Sequence, residues 1–291
     1  MGKWVIGVIG GSGLYNVEGL EDVIELSIDT PWGKPSDVLT RGKIGTVEFV
    51  FLPRHGKGHR LTPSTVPYRA NIDALKRAGC TDVLSISACG SLQESMAPGE
   101  FVMVDQFIDR TFARDKSFFG PGMVAHVSVA DPVCQRLSAL AGDAAEQVGA
   151  KTHRGGTYLA MEGPQFSSRA ESHLYRQWGC DVIGMTNMPE AKLAREAELP
   201  YATIAMVTDY DCWREGEAAV EVTNVLEVMA ANSALAQKTI AALAQRLQSE
   251  PRTPSPQGIE TCLDYAMITA PEARDPELLQ KLDAVAGRVL T

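Results

Sequence analysis

Trp4-Val5-Ile6-Gly7-Val8-Ile9-Gly10-Gly11-Ser12-Gly13 opens the chain with a short, continuous apolar run that breaks into a glycine-rich turn. A run of six such residues, bounded by glycines, predicts a buried strand rather than a helix. Similar β-branched runs recur at Val47–Leu52, Val83–Ser87, Phe101–Val104, Asp181–Ile183 and Tyr201–Val207. Between them lie segments with helical spacing, at Tyr68–Ala78, Pro132–Val148, Ser168–Trp178, Pro189–Ala197 and Thr223–Gln248. That alternation predicts an α/β fold whose mixed, mostly parallel central sheet is flanked by helices. Ser168-Arg169-Ala170-Glu171 has the form of a capping box and sets a helix start there. Ser249–Gln257 holds three prolines and ends the long helix. The chain therefore divides into a domain over 1–250 and a connector with a last amphipathic helix, Pro271–Leu290, over 251–291. That tail is expected to pack on the domain or on a neighbouring subunit.

The 291 residues carry 36 acidic and 27 Lys or Arg side chains, a formal charge of −9, which argues against a polyanionic partner such as nucleic acid. Six cysteines lie far apart without a CxxC pair, so neither a zinc site nor a disulfide framework is expected. The N-terminal apolar run is too short for a signal peptide, Ile6 replaces the hydroxyl residue of a myristoylation signal, and no run approaches the roughly 18 residues of a membrane span. A cytoplasmic protein without membrane attachment is the expectation.

Five constellations sit where a strand gives way to a loop. The Gly10-Gly11-Ser12-Gly13 turn can converge backbone N–H groups and a hydroxyl on an anion, although it fits neither the dinucleotide nor the Walker pattern. Pro53-Arg54-His55-Gly56-Lys57-Gly58-His59-Arg60 packs five basic or imidazole side chains into seven residues of an acidic chain. An Arg fork suits a tetrahedral anion. His55 and His59 make a poor metal pair, because glycines interrupt any helix between them. Ser85-Ile86-Ser87-Ala88-Cys89-Gly90 ends a buried strand in small residues, and no dedicated base marks Cys89 as a nucleophile. Gly184-Met185-Thr186 leads into a helix start that can add anion donors. Thr208-Asp209-Tyr210-Asp211 follows the last strand. If that strand continues, its period of two turns both carboxylates to one face, where mutual repulsion raises one pKa. Read alone, the same pair could hold a divalent cation in a transferase.

Taken with GVIGGSGL, DTPWGKPSD, PRHGKGH, YRANIDALKRAGC, ACGSL, PGEFVMVDQFIDRT, EGPQFSSRAES, MTNMPEAKLA and IAMVTDYDCW, the chain resembles the purine nucleoside phosphorylase superfamily from about residue 5 to 230. Within it, the resemblance is to the branch acting on S-methyl-5'-thioadenosine. The resemblance implies phosphorolysis of that nucleoside to adenine and 5-methylthioribose 1-phosphate, with phosphate as co-substrate and no metal or organic cofactor. It places phosphate on Ser12, Arg54, His55, Ser87, the Ala88 amide and Thr186. Met185 would touch the ribose, and Ala88, Cys89, Gly90, Phe166 and Ser167 would line the base pocket. Asp209 and Asp211 would face N7 and the 6-amino group as the catalytic pair. Val222 and Val225 would pack near the methylthio group, with His126 entering from an adjacent subunit of a trimer or paired trimers. The alternatives are a phosphorylase preferring 6-oxopurine nucleosides and a non-catalytic nucleotide-binding protein.

Overall fold

A computed structural model describes residues 2–11, 13–14, 16–214 and 222–290, with the side chains of 222–225 outside the description. Its eleven strands are β1 (Val5–Gly10), β2 (Glu21–Leu26), β3 (Leu39–Ile44), β4 (Val47–Pro53), β5 (Asp82–Ser91), β6 (Phe101–Met103), β7 (Gln106–Asp109), β8 (Thr152–Arg154), β9 (Thr157–Ala160), β10 (Val182–Gly184) and β11 (Tyr201–Asp209). The helices are α1 (Tyr68–Arg77), α2 (Gln135–Gln147), α3 (Arg169–Gln177), α4 (Asn187–Glu196), α5 (Val222–Ser249), α6 (Pro276–Lys281) and α7 (Asp283–Leu290). All strands join one mixed sheet in the order β2-β3-β4-β1-β5-β10-β9-β7, with β11 also on β5 and with β6 and β8 beyond it.

The long strand β5 organises the site. Its first half pairs in parallel with β1, from Ile6–Asp82 to Ile9–Ser85. Its end pairs antiparallel with β10, through Gly90 and Ser91. On that edge no strand partners Ile86–Cys89, while the other edge is held by β11 along most of its length. The sheet thus opens a crevice beside the carboxyl half of β5, where neighbouring strands diverge, the usual ligand position in open α/β sheets.

The apolar strands were legible because they are buried on both faces: β1 and most of β5 and β11 are solvent-inaccessible. Unpredicted strands lack that signal. Edge strand β2, Glu21–Leu26, is almost wholly exposed, and β8 and β9 span only three and four residues. The capping box forms as expected, Ser168 accepting from the Glu171 N–H and Glu171 accepting from the Ser168 N–H at 2.8 Å. The expected single helix over Pro271–Leu290 is instead a 3₁₀ turn at Pro271–Ala273 followed by α6 and α7. Pro276 disfavours helical backbone at Asp275, whose extended conformation lets its carboxylate cap the Leu278 N–H at 2.8 Å. This tail packs on its own chain: Leu282, Val285 and Ala286 are buried in the principal core. Arg288 pairs with Glu198 at 2.6 and 2.8 Å.

Candidate active site

A cavity of about 290 Å³ occupies the crevice. Its walls are strand ends and the loops after them, so residues distant in sequence meet there. Arg54, His55, Ser87, Ala88, Cys89, Gly90, Phe166, Met185, Thr186, Asp209 and Asp211 all line it. Ser12 lies outside the described residues, as do the side chains of Val222 and Val225. Ser167 is not in the lining; its carbonyl accepts from the Cys212 thiol at 3.2 Å, tying the 162–167 loop to the turn after Asp211. His126 lines a separate cavity with Lys116, Lys192 and Glu196, and does not reach the crevice of its own chain.

At one end, Arg54 follows β4 and is buried, 2% exposed. Its Nε and Nη2 meet both oxygens of Glu190 at 2.8 and 3.0 Å, and Nη2 also reaches Ser85 Oγ at 2.6 Å and the Ile9 carbonyl at 3.3 Å. Nη1 donates to the Ile86 carbonyl at 3.2 Å. The guanidinium thus ties β1 and β5 to Glu190 of α4. One Nη1 hydrogen has no partner among the described residues, since a guanidinium carries two there. Burial opposes the Arg54 cation, but Glu190 more than compensates and holds its pKa above the ordinary value.

His55 donates from Nδ1 to the Leu61 carbonyl at 2.9 Å, because a carbonyl can only accept. Its ring stacks on His59 at 4.3 Å. Burial, reinforced by the Arg54 charge, lowers its pKa from 6.5 to about 4. Near pH 7 it is thus a neutral imidazole whose Nε2 is an acceptor. Not all of the basic stretch faces the cavity. Lys57 reaches Glu25 at 3.1 Å, while Arg60 donates to the Ser36 carbonyl at 2.6 Å and lies 3.7 Å from Asp37. Neither is in the lining.

At the other end, the period-two expectation for the carboxylates fails in form. A bulge between Val207 and Asp209 breaks the β5–β11 register, and β11 ends at Asp209. Bulges of this kind re-aim side chains beside functional sites. Asp211 reaches the same cavity through a turn, with φ of 54° and its N–H donating to Asp209 Oδ1 at 2.8 Å. Thr208 Oγ1 donates to Asp209 Oδ2 at 2.7 Å, while Asp211 Oδ2 is buried without a hydrogen-bond partner among the described residues. Burial raises both carboxyl pKa values, and the Asp209 charge adds to the effect on Asp211. Gly90 makes room for the pair: a Cβ there would stand 3.0 Å from Asp209 Oδ1 and 3.4 Å from Asp211 Cβ.

Three buried residues missed from sequence hold this arrangement. Glu190 clamps Arg54. Asn187 bridges Ser87 and Thr203. Arg114 binds Glu162, the Tyr68 hydroxyl and the carbonyls of Met185 and Met188, the last two at 2.6 Å each. Charged side chains amid apolar segments were the available signal; the ion-pair partners of Glu190 and Arg114 are 136 and 48 residues away, beyond any local pattern.

The description "Phosphorylase superfamily" belongs to a family model that matches residues 5–246, and the chain is a member of that superfamily. Its relatives include the S-methyl-5'-thioadenosine phosphorylase of Cereibacter sphaeroides, 61% identical over 288 residues and covering 99% of each chain. Its counterpart from Bradyrhizobium diazoefficiens is 59% identical, covering 100% of this chain and 99% of the relative. Among solved structures, a methylthioadenosine phosphorylase from an Antarctic soil metagenomic library superposes with a TM-score of 0.91 at 46% identity, covering 98% of this chain and 99% of that one. The Schistosoma mansoni methylthioadenosine phosphorylase bound to adenine gives 0.85 at 38% identity, covering 91% and 99%.

Proposed function

We propose that this chain catalyses phosphorolysis of S-methyl-5'-thioadenosine to adenine and 5-methylthioribose 1-phosphate. The observation that carries the reading is the polarity of the one cavity: Arg54, His55, Ser87 and Thr186 stand with the acids Asp209 and Asp211 around a space of about 290 Å³. Full-length similarity to phosphorylases of that name supports it.

Phosphate takes the remaining Arg54 N–H, the Ser87 and Thr186 hydroxyls and the Ala88 amide, an arrangement that orients a nucleophile as much as it neutralises one. Ser12 would add a further hydroxyl. As the N9–C1' bond stretches toward an oxocarbenium-like sugar, a phosphate oxygen bonds to C1' and the bonding pair leaves with the purine. Asp209, whose carboxyl pKa burial raises, gives a proton to N7 and so prevents charge from building on the leaving base. Asp211 presents a carboxylate oxygen with no hydrogen-bond partner among the described residues, which suits the 6-amino group of adenine. A 6-oxo group would meet it acceptor to acceptor, so adenine is preferred over hypoxanthine. Met161, Met185, Met206 and Met229 in the lining supply soft apolar surface for a methylthio substituent. The resemblance assigns Val222 and Val225 to the same substituent.

The protein works without metal or organic cofactor, in the cytoplasm, as part of a purine and methionine salvage route. We place it in a homotrimer or a pair of trimers, in which His126 of one copy enters a neighbour's crevice. In support, His126 is carried on a strip bearing exposed Val124 and Ile268, joined through the Ile268 N–H to Val124 carbonyl bond at 2.9 Å.

The test follows adenine release from methylthioadenosine with and without phosphate, and again with a chelator. Release that requires phosphate and ignores chelator is expected; release independent of phosphate overturns the proposal. Asp209→Asn with Asp211→Asn should abolish the preference for adenine, and retained selectivity would overturn that assignment.

A further inference from the structure

The two hydroxyls at the phosphate end point the wrong way for an anion. Ser87 Oγ donates to Asn187 Oδ1 at 3.0 Å, and Thr186 Oγ1 lies 3.5 Å from the same oxygen. Both hydroxyl protons are thus drawn toward the interior. Behind them, Asn187 Nδ2 donates to Thr203 Oγ1 at 2.6 Å. Asn187 and Thr203 are fully buried, while Ser87 and Thr186 line the cavity.

A second observation isolates Thr186. It occupies the N-cap of α4, where a Thr hydroxyl ordinarily accepts from a helix N–H, yet it makes no such bond. Met188, at φ −119° and ψ 133°, breaks the first turn and removes the N–H groups from its reach. The hydroxyl is left to Asn187, to the neighbouring buried Tyr158 hydroxyl and to whatever enters the cavity.

The carboxamide has nearly the same shape when rotated by half a turn about χ2, but the opposite polarity. In the rotated form its two Nδ2 hydrogens face Ser87 Oγ and Thr186 Oγ1, one each, and Oδ1 accepts from the Thr203 hydroxyl. Every group remains satisfied. The Ser87 and Thr186 protons are then released to point into the cavity. We infer that Asn187 is a positioning residue for the anion: its amide turns over when phosphate binds and converts both hydroxyls into cavity-facing donors. An anion selects the rotated form because it interacts more strongly with it, which is all that a population shift requires. The inference rests on the phosphorylase reading, and it concerns phosphate alone.

The experiment compares the phosphate KM and the nucleoside KM of the intact protein with those of N187D, N187A, S87A and S87A/N187D. Asp keeps the size of Asn and can accept from all three hydroxyls, but it has no donor to offer. Ala leaves a gap but lets the hydroxyls turn. Two hydrogen bonds to a charged group are at stake, so N187D should raise the phosphate KM about 100-fold and N187A about 10-fold. The nucleoside KM should stay within about threefold in both. In the S87A background the N187D penalty should shrink at least threefold, because one of the hydroxyls it misdirects is gone; simple charge repulsion would leave it undiminished. A packing role predicts the reverse order, with N187A the worse, and that order or an undiminished penalty in S87A overturns the inference. If N187D does not fold by thermal melting, the N187A and S87A pair decides: their effects on phosphate KM must be less than additive. Should the unaltered protein release adenine without phosphate, the phosphorylase reading fails; should it require phosphate while N187D and N187A behave normally, only the role of Asn187 fails.

Discussion

The two ends of the cavity are built on opposite plans. At the phosphate end almost every polar atom already has a protein partner: Arg54 is clamped by Glu190, Ser85 and two carbonyls, His55 by Leu61, and Ser87 by Asn187. At the base end Asp211 Oδ2 is buried with none among the described residues, and Phe166 stands half exposed. The anion end is also close to neutral as built, since Glu190 cancels Arg54 and His55 is uncharged near pH 7. The acid end carries two carboxyls whose pKa values burial raises. In the proposed reading, a preorganised end that orients the nucleophile faces an end that supplies a proton to the leaving group, so binding and chemistry can be separated by substitution.

The largest expected effect comes from breaking the clamp. Glu190→Ala leaves Arg54 as an uncompensated buried charge, a loss of about 3–5 kcal/mol in folding stability. Denaturant unfolding should show it, and phosphate saturation should be lost with it while adenine still binds the folded fraction. Next, Asp209→Asn should lower kcat about 10²- to 10⁴-fold, the usual worth of a general acid. Phosphate KM should change little, and an equal rise in phosphate KM would mean that the two ends are not separable.

A smaller effect follows from His55. Its proton sits on Nδ1, so Nε2 can join phosphate only if a proton arrives with the anion. Its pKa of about 4 means that the free site does not supply that proton near neutral pH. Phosphate KM should then rise about tenfold per pH unit above the second pKa of phosphate, by proton linkage. His55→Gln, whose amide donates at any pH, should flatten that slope; an unchanged slope would remove His55 from the account. The smallest is Ser168→Ala, which deletes the cap behind the base-side loop. It should cost about 1 kcal/mol in stability, read as a shift in melting temperature, with kcat nearly unaltered.

How far the sequence discloses this contrast depends on range. Strands β1, β5 and β11 were readable because burial on both faces makes them continuously apolar, and the lining residues fall at their ends, where parallel sheets hold ligands. The crowding of Arg54, His55, Lys57, His59 and Arg60 was readable too, but it overstated the charge: Lys57 and Arg60 turn to Glu25, Ser36 and Asp37. The cancellation of Arg54 by Glu190 joins residues 136 positions apart, and no periodicity reports it. The bulge that re-aims Asp209, the turn that brings Asp211 beside it and the break before α6 are each decided by a few local contacts that a pattern of apolar spacing does not register.

The central claim is that a phosphate oxygen replaces the base at one cavity. Phosphorus NMR of the protein with methylthioadenosine and phosphate tests it most directly. The account predicts a new sugar-phosphate ester resonance growing in step with free adenine, one for one. Adenine that accumulates without an ester signal would contradict it.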